Sequence, residues 1–319
     1  MSNNRSKRDI RNIKLKKLVP VLSLFILCIG FGIVQPRFFT FSNLMIVLQQ
    51  TVVLLSAAFG MTFVIVGGSI DLSVGSILAI SALATALFSS SMGIFSFIMG
   101  LLAGILCGAI NGIIFAKGKV PSFIATMGTM TTLRGVVLLF TKGAPISINN
   151  DSFLDLFSGR IFGIPNSAFI LLIVGLFSYF LYSKTVFGRE VQAIGGGEKV
   201  ARLSGLNIEI IKTQMFILLG ALCGIAGVLQ AARVMAATAQ LGIGFELDVI
   251  ASVVLGGTPL TGGFGSIQGT ILGAFIISVL SNGMNMLGVD AYFQQIIKGI
   301  VMIFAVFITI DRKKIGLIK

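Results

Sequence analysis

The sequence predicts an all-α, polytopic membrane protein of about ten transmembrane helices, some of them interrupted or re-entrant. Three observations carry that expectation. Of 319 residues, 55% are hydrophobic and only 11% charged, whereas soluble domains carry roughly 25% charged residues. The mean hydropathy is +1.02. Apolar runs recur along the whole chain, and ten helices of about 20 residues each leave room for short connections only. A sizeable aqueous domain is excluded.

The elements follow in order. Seven basic residues, Arg5, Lys7, Arg8, Arg11, Lys14, Lys16 and Lys17, precede a first apolar run from Leu18 to Val34. No small-x-small cleavage site closes that run, so it reads as an uncleaved helix rather than a signal peptide. Leu27 before Cys28 argues against a lipoprotein signal. Residues 1–17 then form a basic tail, 18–310 one transmembrane domain and 311–319 a second tail. Further spans are expected near 44–66, 72–88, 94–116, 121–140, 166–183, 213–232, 247–257, 266–285 and 292–310. The 247–257 run is short and is broken by Gly256, Gly257 and Pro259. It suits a half-helix or a re-entrant element.

Charge sets the orientation, because Lys and Arg concentrate in cytoplasmic loops. With both termini inside, the inner segments hold eighteen of the 24 basic residues. These are the first seven, Lys117 and Lys119, then Lys184, Arg189, Lys199, Arg202 and Lys212, and finally Arg312, Lys313, Lys314 and Lys319. Outer segments hold four: Arg37, Lys142, Arg160 and Arg233. Arg134 and Lys298 fall within spans, and Lys298 is close enough to an end to snorkel. The formal charge of +13 therefore reflects membrane orientation and does not imply a nucleic-acid partner.

Composition excludes much chemistry. The chain has no His, and Cys28, Cys107 and Cys223 are far apart in apolar runs. No metal centre or other cofactor is expected. The one Gly-Lys pair, Gly118-Lys119, is followed by Val120, so a phosphate-cradling loop is absent and the chain cannot hydrolyse ATP in that way.

Four features stand out. The stretch Gly67 to Ser76 sets Asp71 and Ser73 between two apolar runs. A charge at a membrane span is costly, and the role expected of Asp71 is to cap the following helix. The pattern echoes Gly256 to Ser266, as in transporters built from repeats with broken helices. Arg134, about 20 Å along its helix from Pro121, reads as a clamp on backbone carbonyls, a structural pair or a group facing a substrate path. Asn282 and Asn285 are further candidates for structural or path-lining roles, with Gln49 a polar group in an outer half.

The fourth feature is the 184–212 loop. Its glycine run, Gly195 to Gly197, precedes a helix-prone stretch of about two turns, and Gly205 stands where a helix stops. Val200, Ala201 and Leu203 have no core in so short a loop. A helix that docks a partner protein fits this pattern; an amphipathic loop on the bilayer surface is the alternative.

Together these residues resemble the permeases of bacterial ABC-type sugar importers, the ribose permease group above all. The resemblance runs from about residue 40 to 310. It is carried by Gly67-Gly68-Ser69-Ile70-Asp71-Leu72-Ser73-Val74-Gly75, by Pro121 to Gly128 with Arg134-Gly135, and by Phe187-Gly188-Arg189 with Ala193-Ile194-Gly195-Gly196. Ala201-Arg202-Leu203-Ser204-Gly205, Glu246-Leu247-Asp248, and Val254-Leu255-Gly256-Gly257-Thr258 with Gly262-Gly263 continue it. Asn282-Gly283-Met284-Asn285 with Leu287-Gly288-Val289 completes it. Two departures are Gly197, where the family usually has Asn, and the outer segment Met235 to Gly244, which puts ribose itself in doubt.

The resemblance implies an inner-membrane permease that works as a homodimer, with two ATP-binding subunits and an external sugar-binding protein. It implies alternating access without covalent chemistry on the sugar, so the chain is not an enzyme. The loop residues Gly188, Arg189, Gly195, Gly196, Ala201, Arg202, Leu203, Ser204 and Gly205 would couple it to the ATPase. A secondary carrier driven by protons or sodium is the alternative, disfavoured by the scarcity of acids within the spans. A membrane-embedded enzyme is a distant third.

Overall fold

The computed structural model describes residues 20–309. The basic N-terminal tail and the C-terminal tail lie outside the described residues. Helix α1 spans Pro20–Val34. It is followed by α2 (Phe41–Val66), α3 (Val74–Met92), α4 (Ser96–Ala116), α5 (Ser122–Thr141), α6 (Asp151–Ser158) and α7 (Asn166–Lys184). Then come α8 (Val186–Gly196), α9 (Glu198–Leu203), α10 (Ile208–Val234), α11 (Phe245–Leu255), α12 (Ile267–Met286) and α13 (Ala291–Thr309). Each expected span coincides with a helix. Helices α6 and α8 were not expected.

Among the described residues, six apolar stretches are long enough to cross a membrane. The longest, Val74–Ala116, contains both α3 and α4, which a 3₁₀ turn at Gly93–Phe95 separates. Gly93 sits there at φ +55°, a backbone conformation that a side chain would strain. The molecule is an all-α membrane protein. Among the described residues the strands are two-residue pairings: β1 (Ile146–Ser147) with β4 (Ala236–Ala237), and β2 (Arg160–Ile161) with β3 (Ile164–Pro165).

The core forms around α2 and α10. Every residue of α2 from Thr51 to Val66 is buried. Helix α10 packs along α4 through glycines one turn apart. A Cβ on Gly104 would collide with the Gly220 carbonyl, one on Gly108 with the Phe216 carbonyl, and one on Gly112 would stand 2.9 Å from the Thr213 Cα. Apolar side chains feel no hydrophobic drive toward one another in lipid, so close backbone approach through small residues replaces it. Outward faces are apolar: Leu172, Ile173, Leu176 and Phe177 on α7 are exposed, as expected of a lipid contact.

The connections identify two ends of the bundle. The α5–α7 connection carries α6 and β1, and the α7–α10 connection carries α8 and α9. They therefore lie at opposite ends of α7, about 28 Å apart. Helix α11 has 11 residues, about 16 Å, roughly half of a hydrocarbon core.

Candidate functional site

Two regions gather the polar and glycine motifs. The first lies at the α8 end. Three glycine breaks meet there. Gly263 donates its N–H to the Val66 carbonyl at 2.8 Å, and Gly262 sits against the backbone of Gly68. Gly195 fills the space between: a Cβ would collide with the Val66 carbonyl and stand 2.6 Å from the Gly263 nitrogen. The sequence echo between Gly67–Ser76 and Gly256–Ser266 thus corresponds to a physical junction, and α8 is its third member. The glycine run precedes α9, as expected, but Gly195 and Gly196 themselves belong to α8, where the close approach at Gly195 needs glycine within a helical turn. Gly196 is free of such contact, with nothing within 4 Å of its Cβ position.

Aromatic packing holds α8 in place. Phe187 stacks on Phe63 with ring centroids 5.8 Å apart, and Tyr182 meets the same ring edge-on at 5.5 Å. The Tyr182 hydroxyl donates to the Gly265 carbonyl at 2.9 Å. Gly188 is required where α8 turns back on α7, since its Cβ would collide with the Tyr182 carbonyl. Arg189 is exposed on the outer side of α8.

Helix α9 follows at once, with Gly197 as its N-cap. It ends in a Schellman arrangement. Leu206 donates to the Ala201 carbonyl and Gly205 to the Arg202 carbonyl, with Gly205 at φ +86°. Ala201 is buried against the bundle, a correction to its expected lack of a core. Val200 and Leu203 are 68% and 81% exposed, and Ser204 is exposed beside them. Arg202 bonds Glu209 at 3.0 Å, which holds its guanidinium more firmly protonated, and Lys212 bonds Glu198 at 2.8 Å. These charges line a groove that also contains Lys119 and Pro121. The α4–α5 connection and α9 therefore share one surface.

The second region lies deeper. Asp71 is fully buried. Its Oδ1 accepts from the Ser73 backbone N–H at 2.7 Å and from the Ser73 hydroxyl at 2.6 Å. Asn111 of α4 donates to Asp71 Oδ2 at 3.3 Å and to Ser73 Oγ at 2.8 Å. The N-cap of α3 is Ser73, not Asp71, and no side-chain cap bond is made. Asp71 instead folds the turn before α3 and ties it to α4. Asn111 was not singled out from sequence, because nothing local marks its side chain as inward.

Arg134 is a carbonyl clamp. Its guanidinium donates to the Ala239 carbonyl at 2.7 Å and the Leu241 carbonyl at 2.6 Å. It holds the stretch between β4 and α11 against the bundle, where Gly242 meets Gly75 so closely that neither can carry a Cβ. Asn282 pairs with Asn43 of α2 through two reciprocal amide bonds of 3.0 Å, a structural tie.

Beside that stretch is a cavity of about 300 Å³. Val53, Leu54 and Leu78 form its apolar part; Gln50, Gln230, Arg233, Ser278, Ser281 and Asn285 are polar lining. Gln50 lines it, whereas its neighbour Gln49 does not. Arg233, expected in an outer connection, stands in the last turn of α10. Lys298 does not snorkel; it pairs with Asp248 of α11 at 2.7 Å. Asp248 is thus an acid within an expected span, and the scarcity of acids there is not complete. Among the described residues no group of three or more His, Cys, Asp or Glu could hold a metal ion.

Comparison with known proteins gives a consistent result. The family described as branched-chain amino acid transport system / permease component matches residues 43–306. The ribose import permease protein RbsC of Escherichia coli (strain K12) is 42% identical over 300 residues, covering 92% of this chain and 93% of the relative. RbsC of Bacillus subtilis (strain 168) is 43% identical over 304 residues, covering 94% of each. The L-arabinose ABC transporter permease protein AraH of Azospirillum brasilense is 34% identical over 291 residues, covering 90% and 85%. No solved structure matches the chain.

Proposed function

Because the chain belongs to the branched-chain amino acid transport system / permease component family, we propose that it is the membrane permease subunit of an ATP-driven ABC importer for a monosaccharide. The observation that carries the sugar assignment is the 42% identity to a ribose import permease over 92% of this chain. The family description names branched-chain amino acids, but the relatives that match most of this chain are permeases for ribose and L-arabinose. Ribose or a closely related sugar is the cargo.

The permease is a multi-pass protein of the bacterial inner membrane, with both termini cytoplasmic and ten segments entering the bilayer. It acts as a homodimer. An extracytoplasmic binding protein delivers the sugar, and two cytoplasmic ATP-binding subunits supply the work. The exposed Val200 and Leu203 support α9 as the docking element. The glycine junction beneath it supports a path for that work, since α8 touches both the end of α2 and the loop before α12 at backbone level.

The test is uptake of labelled ribose and L-arabinose by proteoliposomes holding the permease, its ATPase subunit and its binding protein. Uptake should require ATP. Uptake driven by a proton or sodium gradient without ATP would establish the secondary-carrier alternative.

A further inference from the structure

We propose that Asp71 is a neutral carboxylic acid that donates its proton to the side-chain oxygen of Asn111. The pair then forms an uncharged, pH-sensitive latch between the turn before α3 and helix α4. The latch is a property of the bundle and does not depend on which cargo is carried.

Three observations carry it. First, Asp71 and Asn111 are both 0% exposed, and Asp71 bonds no cation among the described residues. A lone ionised carboxylate taken out of water is so costly that such groups ordinarily neutralise. Second, the two carboxyl oxygens are unequal. Oδ1 accepts two short bonds from Ser73, at 2.7 and 2.6 Å, whereas Oδ2 has only the Asn111 amide at 3.3 Å, beyond the usual N–H···O range. Both oxygens of an ionised carboxylate accept; in the acid, one accepts and the other donates. Oδ1 stands as the acceptor and Oδ2 as the hydroxyl. Third, Asn111 Oδ1 is buried without a partner among the described residues. Turning the Asn111 amide brings that oxygen beside Asp71 Oδ2. The proton stays on Oδ2 and its hydrogen bond runs to Asn111 Oδ1.

The surroundings supply no compensating charge. Helix α2 has no titratable side chain. From α4 and α10 the titratable groups facing Asp71 are the buried thiols of Cys107 and Cys223. From α5, Thr126 and Ser122 accept from the Leu72 and Ile70 N–H groups. Arg134 of the same helix is committed to the Ala239 and Leu241 carbonyls. At the start of α11, Glu246 Oε2 stands 2.9 Å from the Cβ position of Gly75, about one turn along from Asp71, and an acid there disfavours a second negative charge. A bound metal ion is the rival neutraliser. Hard cations take about six oxygens, and only Asp71 Oδ2 and Asn111 Oδ1 are open here.

The experiment is infrared spectroscopy of the full-length permease in lipid at neutral pH. A protonated-carboxyl stretching band should be present, absent from Asp71→Asn, and shifted in Asn111→Ala, which removes the acceptor. Ser73→Ala, which removes a donor to Oδ1, should shift the same band and serves if Asp71→Asn folds poorly. Denaturant unfolding in detergent adds a pH arm. The folded acid keeps its proton, while the unfolded carboxyl loses it above about pH 4. The unfolded state then binds fewer protons, so stability falls as pH rises. Relative to Asp71→Asn, the wild-type unfolding equilibrium should move toward the unfolded state about tenfold per pH unit between about pH 5 and 7. Absence of an Asp71-dependent band at neutral pH overturns the latch, and so does an equal pH dependence in the two proteins. Stabilisation of the wild type alone by sodium or potassium chloride, without that band, overturns it in favour of a metal ion. A band that Asn111→Ala leaves unmoved overturns Asn111 as the acceptor.

Discussion

At the scale of single residues, neighbours of one type carry different burdens. Gly195 and Gly196 are adjacent in α8, yet only Gly195 is locked between the Val66 carbonyl and the Gly263 nitrogen. Gly195→Ala should therefore force α8 away from the junction and sharply reduce ATP-dependent uptake. Gly196→Ala, pointing into open space, should keep wild-type uptake. Equal uptake by the two variants would mean that the junction is not part of the working path. Asp71 yields a second contrast. Its bonds come from Ser73 and Asn111 and from no cation among the described residues. The Oδ1 of Asn111 has no partner among the described residues, so Asp71→Asn can be met by turning the Asn111 amide. Transport should largely survive that change. Asp71→Leu strands the Ser73 N–H and the Asn111 amide, at a cost of about 1–3 kcal/mol for each unsatisfied buried group. A lower unfolding temperature in detergent is the expected readout. Loss of transport in a stable Asp71→Asn permease would reveal a required charge instead.

At the scale of elements, α9 shows what sequence can and cannot convey. Its length, its stop at Gly205 and its exposed Leu203 were legible, because capping and period are local signals. The burial of Ala201 was not, since it depends on where the α8–α9 corner folds. The same holds for α8, which was not expected: its glycines disfavour a helix, and only the tertiary contact at Gly195 explains why one belongs there. The cavity was the least legible part. Arg233 and Lys298 are single charges in apolar surroundings, and their meaning comes from helices distant in sequence: Asp248 is 50 residues from Lys298. Arg134 was legible as a clamp, but not its partners. For α9 itself, Leu203→Asp should leave the permease folded, since the side chain is already exposed. It should impair capture of the ATPase subunit and uptake together, because a charge buried unpaired in an apolar socket costs several kcal/mol. Gly205→Val should act likewise by straining the +86° turn. Full capture and uptake in Leu203→Asp would move the docking surface to the neighbouring Lys117–Lys119 connection.

At the scale of the whole molecule, the question is how a half-length helix fits the proposed topology, in which both termini are on one side. Contacts answer it. Ala236 and Ala237 pair with Ser147 and Ile146, at the α6 end. Gly263 bonds Val66 beside Gly195, at the α8 end. The chain from β4 to Gly263 therefore runs from one end of the bundle to the other, although α11 covers only about half of that length. The turn-rich, non-helical stretch held by Arg134 supplies the remainder, and backbone of that kind is tolerated at membrane depth where protein buries it and a cavity adjoins it. In the proposed topology the stretch and α11 together make one crossing, so that α12 starts at the α8 end and α13 returns to it. With nine other crossings, as proposed, this composite one would make the number even, and the proposed topology would have both termini on one side. On that proposed topology, the eighteen-to-four charge bias would make that side the cytoplasm. In a Cys-free background, Ser6→Cys and Lys314→Cys should resist an impermeant thiol reagent in intact cells and react once the membrane is opened. Phe162→Cys, at the β2–β3 tip where the native side chain is 98% exposed, should react in intact cells. Labelling of only one terminus from outside would break the parity and require that α11 and its preceding stretch return to the end from which they entered.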